Sequence, residues 1–206
     1  PVFDRLCAFL RETAILESTL SMLGWDERTG MPPEAAEYRG EQMTYLAGLI
    51  HSRRTDPQLG EWLNELTDSS LDADPHSITN TVIRESKRQF DRQQKLPSAL
   101  VKEITRTAVQ GQHDWQRARE QNDFSIFLPN LEHMVRLKCQ EADAVGFTEC
   151  RYDALLDEYE PWATTAETAT ILGKLREDLV TLLSEITSRS PLNIDDCLKR
   201  SFDIEK

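Results

Sequence analysis

The sequence predicts an all-α fold, an elongated array of about six to eight helices with long antiparallel helical hairpins. Apolar residues recur at three- and four-residue spacing along most of the 206 residues. No alternating run is long enough for a strand. Proline, glycine and short polar residues fall where helices should begin and end.

A first helix is predicted from about Val2 to Leu23, with Phe3, Leu6, Phe9, Leu10, Leu16 and Leu20 on one side. Gly24 and the Gly30-Met31-Pro32-Pro33 stretch should interrupt it. Pro33 suits the first position of a second helix, because that position needs no backbone donor. Tyr38, Met43, Leu46, Leu49 and Ile50 lie in that helix. It should end near Arg53 and Arg54, whose cations suit a helix C-terminus.

Asp56-Pro57 and Asp74-Pro75 each read as an N-cap followed by proline. The first opens a short helix through Trp62, Leu63 and Leu66. The second opens a longer one through Ile78, Val82, Ile83 and Phe90. After Leu96-Pro97 a fifth helix carries Leu100, Ile104, Ala108, Gly111, Trp115 and Ala118 on its small and apolar positions. Asn122-Asp123 should begin a sixth, through Leu128, Leu131, Val135, Ala142 and Val145. Lys138 interrupts that stripe and should snorkel or lie at an edge. A final helix should follow Thr164-Thr165. Its Leu172, Leu175, Leu179, Leu182 and Ile186 step by three and four alternately, as in the seam of a coiled-coil-like hairpin, so they should pack on other helices. Ile194, Cys197, Leu198 and Phe202 continue near-helical spacing with no cap before Lys206. This predicts a piece of a longer protein.

The net charge of −12 opposes phosphate backbones and anionic bilayers, so neither nucleic acid nor a membrane surface is an expected partner. It serves solubility; an acidic groove for basic peptides is the sharper alternative. No run of about 18 apolar residues occurs, and no apolar core of a secretory signal is present at Pro1-Val2-Phe3-Asp4-Arg5-Leu6. Cys7, Cys139, Cys150 and Cys197 form no C-x-x-C pair, so free thiols in a reducing cytoplasm are expected.

Catalytic patterns are missing. A hydrolytic metal site on a helix takes H-E-x-x-H, which puts two imidazoles on one face with a glutamate base between them. His51, His76, His113 and His133 offer no pair four apart, and none is followed by glutamate. There is no Glu-x-x-His pair, no G-x-S-x-G elbow, no P-loop and no dinucleotide glycine fingerprint. No catalytic residue and no metal ligand is therefore assigned, and no cofactor is expected to bind this chain. Glu37 with Glu41, and Glu61 with Glu65, read as solvated helix faces. Tyr152-Asp153-Ala154-Leu155-Leu156-Asp157-Glu158-Tyr159-Glu160-Pro161 mixes aromatic and acidic residues before a turn. It reads either as a short helix packing Leu155, Leu156 and Tyr159 or as a polar wall of a groove.

Two segments resemble the carboxypeptidase Taq family of metallocarboxypeptidases. One is Leu23-Gly24-Trp25-Asp26-Glu27-Arg28-Thr29-Gly30-Met31-Pro32-Pro33, continuing to Arg39-Gly40-Glu41-Gln42 and Leu46-Ala47. The other is the Tyr152 to Pro161 segment. Phe90-Asp91-Arg92 with Lys95-Leu96-Pro97, and Glu120-Gln121-Asn122-Asp123-Phe124, fall between them in the family's order. The resemblance spans essentially residues 1–206 and implies the N-terminal helical region of a homodimeric enzyme. Such enzymes remove C-terminal residues from peptides with zinc or another divalent metal. Their H-E-x-x-H helix lies in a C-terminal region, so the catalytic zinc-binding region is expected to be absent here and the chain inactive alone. The segment present should form a wall or lid of the substrate groove, with Trp25, Asp26, Tyr152, Asp153, Glu158 and Tyr159 as candidate groove residues. A standalone helical interaction or dimerisation module is the alternative. One departure stands out: relatives have Glu-Pro-Gly where this chain has Glu160-Pro161-Trp162. Glycine permits positive φ, and tryptophan there is strained. Either the turn differs, or Trp162 fills space next to the region not present.

Overall fold

In the computed structural model, which describes residues 1–69 and 74–189, the described residues form eight α-helices and no strand. They are α1 Val2–Thr29, α2 Ala36–Arg54, α3 Pro57–Asp68, α4 Ile78–Gln94, α5 Ser98–Gln121, α6 Leu128–Val145, α7 Arg151–Leu156 and α8 Thr165–Thr187. Short 3₁₀ turns at Pro33–Ala35 and Phe124–Ile126 precede α2 and α6. The all-α expectation holds.

Several predicted boundaries move for local reasons. Helix α1 passes through Gly24 and stops only at Gly30. A lone helical glycine costs about 1 kcal/mol, which a long packed helix absorbs. Pro33 opens the 3₁₀ turn rather than α2 itself. Asp56 does cap α3, its side chain accepting from Gln58 N at 2.8 Å. Asp74, by contrast, folds back on His76 N at 2.9 Å in a turn, and Ser77 takes the N-cap of α4. Asn122 closes α5 in the left-handed region (φ 49) instead of opening α6. Asp123 caps the following 3₁₀ turn. The tyrosine-acid segment starts as the short helix α7, and Tyr159 falls beyond its end, exposed rather than packed. The apolar positions predicted beyond Pro191 lie outside the described residues.

The core has two parts. In the first, Leu6 of α1 meets Leu59, Leu63 and Leu66 of α3 and Ile83 of α4, with Phe9 and Phe90 against them. Leu6 and Leu63 are fully buried. Helix α3 comes close to α4 at Gly60, where a Cβ would sit 2.7 Å from the Phe90 ring. In the second part α2 packs along α5, which in turn packs on α6. Gly111 allows that second contact: a Cβ there would lie 2.6 Å from Asn130 Oδ1.

Arginines tie the layers together at backbone carbonyls. Arg39 of α2 donates to Leu23 O and Asp26 Oδ2, each at 2.7 Å, and closes the α1–α2 hairpin. Arg53 reaches Thr13 Oγ1, Phe9 O and Glu12 Oε2 and lies 4.1 Å over the Phe9 ring. From α4, Arg92 donates to Ala154 O at 2.8 Å and to Glu141 Oε1 at 3.3 Å. Arg88 donates to Asp157 Oδ2 at 3.0 Å. These bonds dock α7 against the array. From the sequence Arg53 is expected only as a helix-end cation. Its tertiary role needs a partner 40 residues away, which no local pattern shows.

Helix α8 departs most from expectation. Thr164 and Glu167 form a reciprocal capping box, as the sequence implies. Yet Leu172, Leu175, Leu179, Leu182 and Ile186 are about half exposed (48–57%), and no residue of α8 is buried. The stripe predicted to pack has no helix packed along it among the described residues.

Candidate functional site

Two clefts among the described residues combine apolar walls with several charged groups. The first, of about 340 Å³, lies among α1, α2, α4, α5 and α6. Its apolar lining comes from Leu20, Ile50, Leu100 and Ile104. Its polar groups are held in place: Arg54 pairs with Glu17 at 2.8 Å, and Lys138 with Glu141 at 2.6 Å. Lys138 thus lies half-exposed at an edge, as expected of a cation in an apolar stripe. His51 is buried, and its Nδ1 lies 3.2 Å from Gln93 Oε1, within hydrogen-bond distance. Of these polar residues the sequence marks Lys138 as an interruption of an apolar stripe and Arg54 as a helix-end cation, but it does not bring Glu17, His51, Gln93 and Glu141 to one cleft. Each sits inside an apolar helical run, where a polar residue at core spacing is the available signal.

A second cleft, of about 660 Å³, opens between the end of α6, α7 and the start of α8. Lys95, Phe147, Asp153, Asp157 and Trp162 line it. Asp153 accepts from Thr165 N at 2.7 Å and from the Thr165 hydroxyl. Those two bonds hold its carboxyl below the usual aspartate range. Asp153 thereby supports the first turn of α8. Glu158 lies 3.9 Å from Arg92, while Tyr152 (58% exposed) and Tyr159 (81%) project into solvent.

The two halves of the predicted site are held separately. Tyr152, Asp153, Glu158 and Tyr159 cluster on α7 and its C-terminal turn. Trp25 and Asp26 sit at the end of α1 and line neither cleft. Asp26 is held by Arg39, and Trp25 is largely exposed.

The Glu160–Ala163 segment is a tight turn closed by Ala163 N donating to Glu160 O at 3.0 Å. Pro161 occupies its second position and Trp162 its third, with φ 67. That is the pattern of a type II turn, which asks for glycine at the third position. The turn therefore does not avoid positive φ, as a different turn would: tryptophan itself occupies the strained position. Asp157 Oδ1 accepts from Trp162 N at 3.0 Å, and Arg88 lies 5.8 Å from the indole.

Glu27 of α1 and His113 of α5 face each other at 3.6 Å, with side chains only 5% and 14% exposed. Neither Glu27 Oε1 nor His113 Nε2 has a hydrogen-bond partner among the described residues. Burial pushes the Glu27 carboxyl above the ordinary glutamate range, against the pull of His113, Arg28 and Arg39. His133 meets Glu103 at 3.1 Å on the surface. Among the described residues no group of three or more His, Cys, Asp or Glu side chains could hold a metal ion. Since a hydrolytic metal takes three protein ligands, the residues described here do not fit one. Cys7, Cys139 and Cys150 are free thiols. No described helix is long and apolar enough to cross a membrane.

Comparison with known proteins places this geometry. The sequence profile described as carboxypeptidase Taq (M32) metallopeptidase matches residues 5–206. Thermostable carboxypeptidase 1 of Thermus thermophilus is 33% identical over 213 residues, covering 98% of this chain and 42% of the relative. The crystal structure of BsuCP superposes with a TM-score of 0.83 at 25% identity, covering 90% of this chain and 37% of that one. That of the M32 carboxypeptidase from Deinococcus radiodurans gives 0.77 at 29% identity, covering 99% and 40%. The chain thus spans about two fifths of the length of the relatives it matches.

Proposed function

The chain belongs to the carboxypeptidase Taq (M32) metallopeptidase family, and from that premise we propose that it is the N-terminal helical portion of an enzyme that releases C-terminal amino acids from peptides. Alone it is inactive. It supplies a wall or lid of the substrate groove, and the metal chemistry belongs to the three fifths of the relatives' length that it does not span. The observation that carries this reading is the donor set. Both described imidazoles with a carboxylate neighbour, His113 and His133, have one such neighbour each. Three protein ligands and an open position are needed to activate water for hydrolysis.

In the complete enzyme the Lewis-acid chemistry of zinc or another divalent metal would be supplied from outside this chain. The residues of this chain would act by shape and exclusion, admitting a flexible peptide end and rejecting folded chains. Trp25, Asp26, Tyr152, Asp153, Glu158 and Tyr159 are the proposed groove-facing set. The exposure of Trp25, Tyr152 and Tyr159 leaves their rings free to meet a peptide. A homodimer in the cytoplasm is the proposed setting.

The test is direct. The purified chain, incubated with zinc or cobalt and an N-blocked peptide, should release no C-terminal amino acid above background. Turnover that scales with the chain and survives repurification would overturn the proposal. A second reading, a standalone helical interaction module, draws on the exposed stripe of α8. Retained binding to other proteins, with no gain of peptidase activity on adding the rest of a family member, would favour it.

A further inference from the structure

Trp162 is held where a side chain is unfavourable, and its ring has little to bury against. At φ 67 an L-residue is strained, and the indole is 72% exposed. Strain of this kind persists only where the surroundings over-determine it, and it clusters at ligand clamps. Two bonds over-determine it here. Asp157 Oδ1 accepts from Trp162 N at 3.0 Å, and Ala163 N closes the turn on Glu160 O at 3.0 Å. Their effect is to fix the indole in the lining of the second cleft, of about 660 Å³. Phe147, 44% exposed, joins that lining from the loop after α6. A cleft of this volume lies within the range of small-ligand sites, about 300–1,000 Å³.

The charge around the two rings selects the ligand. Glu149, Asp153 and Asp157 stand against Lys95 as the one cation among the described lining residues. Lys95 Nζ donates to Val145 O at 2.9 Å. Asp153 is engaged by Thr165 and Asp157 by Arg88. Glu149 is exposed and pairs with no cation among the described residues. Each ring already attracts a guanidinium of this chain: Arg88 lies 5.8 Å from the Trp162 ring and Arg151 6.0 Å from that of Phe147. Both arginines are ion-paired, with Asp157 at 3.0 Å and Asp143 at 2.8 Å, so they add little net positive charge.

We propose that Trp162 and Phe147 form an aromatic clamp for the guanidinium of an arginine in a bound peptide, with Glu149 as its counter-ion. Ring faces carry negative potential and attract a cation, tryptophan most strongly. A carboxylate in the same cleft adds a charge-assisted hydrogen bond. Neither ring belongs to the groove-facing set above. The clamp needs no bond cleavage, so it stands apart from the catalytic reading.

The probe is a blocked tripeptide, a central arginine flanked by alanines, added to the full chain at low salt. Its control replaces arginine by citrulline, which keeps the shape and loses the charge. Isothermal titration gives the affinities. The four indole N–H signals of the chain locate the ligand, that of Trp162 being identified by its loss in Trp162→Gly. The arginine peptide should shift the Trp162 signal to saturation, and the citrulline peptide should bind at least about fivefold more weakly. Trp162→Gly should also lose about fivefold or more, yet keep a Tm near that of the parent, because glycine relieves the strain. Phe147→Leu should lose less, and Glu149→Gln should lose a salt-dependent factor. A Trp162 signal that the arginine peptide leaves unmoved, equal affinity for the citrulline peptide, or undiminished affinity in Trp162→Gly overturns the clamp.

Discussion

Replacing Trp162 tests the strained turn that joins α7 to α8. Trp162 has φ 67, a region where a Cβ crowds the backbone and an L-residue loses about 1–2 kcal/mol. Its ring is 72% exposed, so the strain is not offset by burial. The remaining attraction is to Arg88, 5.8 Å away, worth about 0.5–1 kcal/mol at an exposed site. Trp162→Ala removes that attraction and keeps the Cβ. Trp162→Gly removes both. Glycine frees about 1–2 kcal/mol of strain relative to alanine, but its unfolded chain gains entropy worth about 0.4–1 kcal/mol. The glycine variant should therefore be more stable than the alanine variant by about 0.5–1 kcal/mol, the reverse of the order at ordinary positions. For a chain of this size that is roughly 1–4 °C in Tm. Thermal and urea unfolding followed by circular dichroism at 222 nm would measure it. An alanine variant as stable as the glycine variant, or more so, would show that Trp162 is not held at positive φ in solution.

Further outcomes follow from the same geometry. Glu27 has its pKa raised by burial, so the folded chain binds its proton more tightly than the unfolded chain does. Stability from this group is present below the unfolded pKa of about 4.5 and falls as pH rises through the folded value. Glu27→Gln should match wild type near pH 4 and exceed it by about 1–3 kcal/mol above the transition, as urea titrations between pH 4 and 8 would record. Arg92→Met leaves Glu141, 6% exposed, with Lys138 as its only paired cation among the described residues and frees the Ala154 carbonyl. A cost of about 2–4 kcal/mol is expected, with α7 amides losing hydrogen-exchange protection first. Leu63→Ala, at a fully buried site, should cost about 2–5 kcal/mol. Leu179→Ala, half exposed in this chain, should cost less than about 0.5 kcal/mol.

Local chemistry made much of this chain legible from sequence. Helix periodicity, the Asp56 cap, the Thr164–Glu167 box and the end of α2 at Arg54 all follow from contacts within one or two turns. Each is encoded within about four residues. The same holds for the Glu160-Pro161-Trp162 turn, where the sequence posed the conflict and the structure resolved it in favour of positive φ. Gly24 misled because a helix interior tolerates one glycine when long-range packing supports it. Asp74 and Asn122 misled because short polar residues serve turns and C-caps as readily as N-caps.

Sequence by itself determined the all-α class, the helices and the want of an H-E-x-x-H pair, since periodicity and ligand spacing are properties of the linear chain. Only the tertiary structure decided which stripes are covered. Leu63 and Leu179 are alike in sequence pattern, yet one lies at the centre of the core and the other stands bare on α8. It also decided that Asp26 closes the hairpin through Arg39, that Asp153 supports α8, and that Glu27 meets His113 across 86 positions of chain. The physical reason is range. Burial and ion pairing depend on which surfaces the folded chain brings together, and a one-dimensional pattern records only that a surface needs a partner.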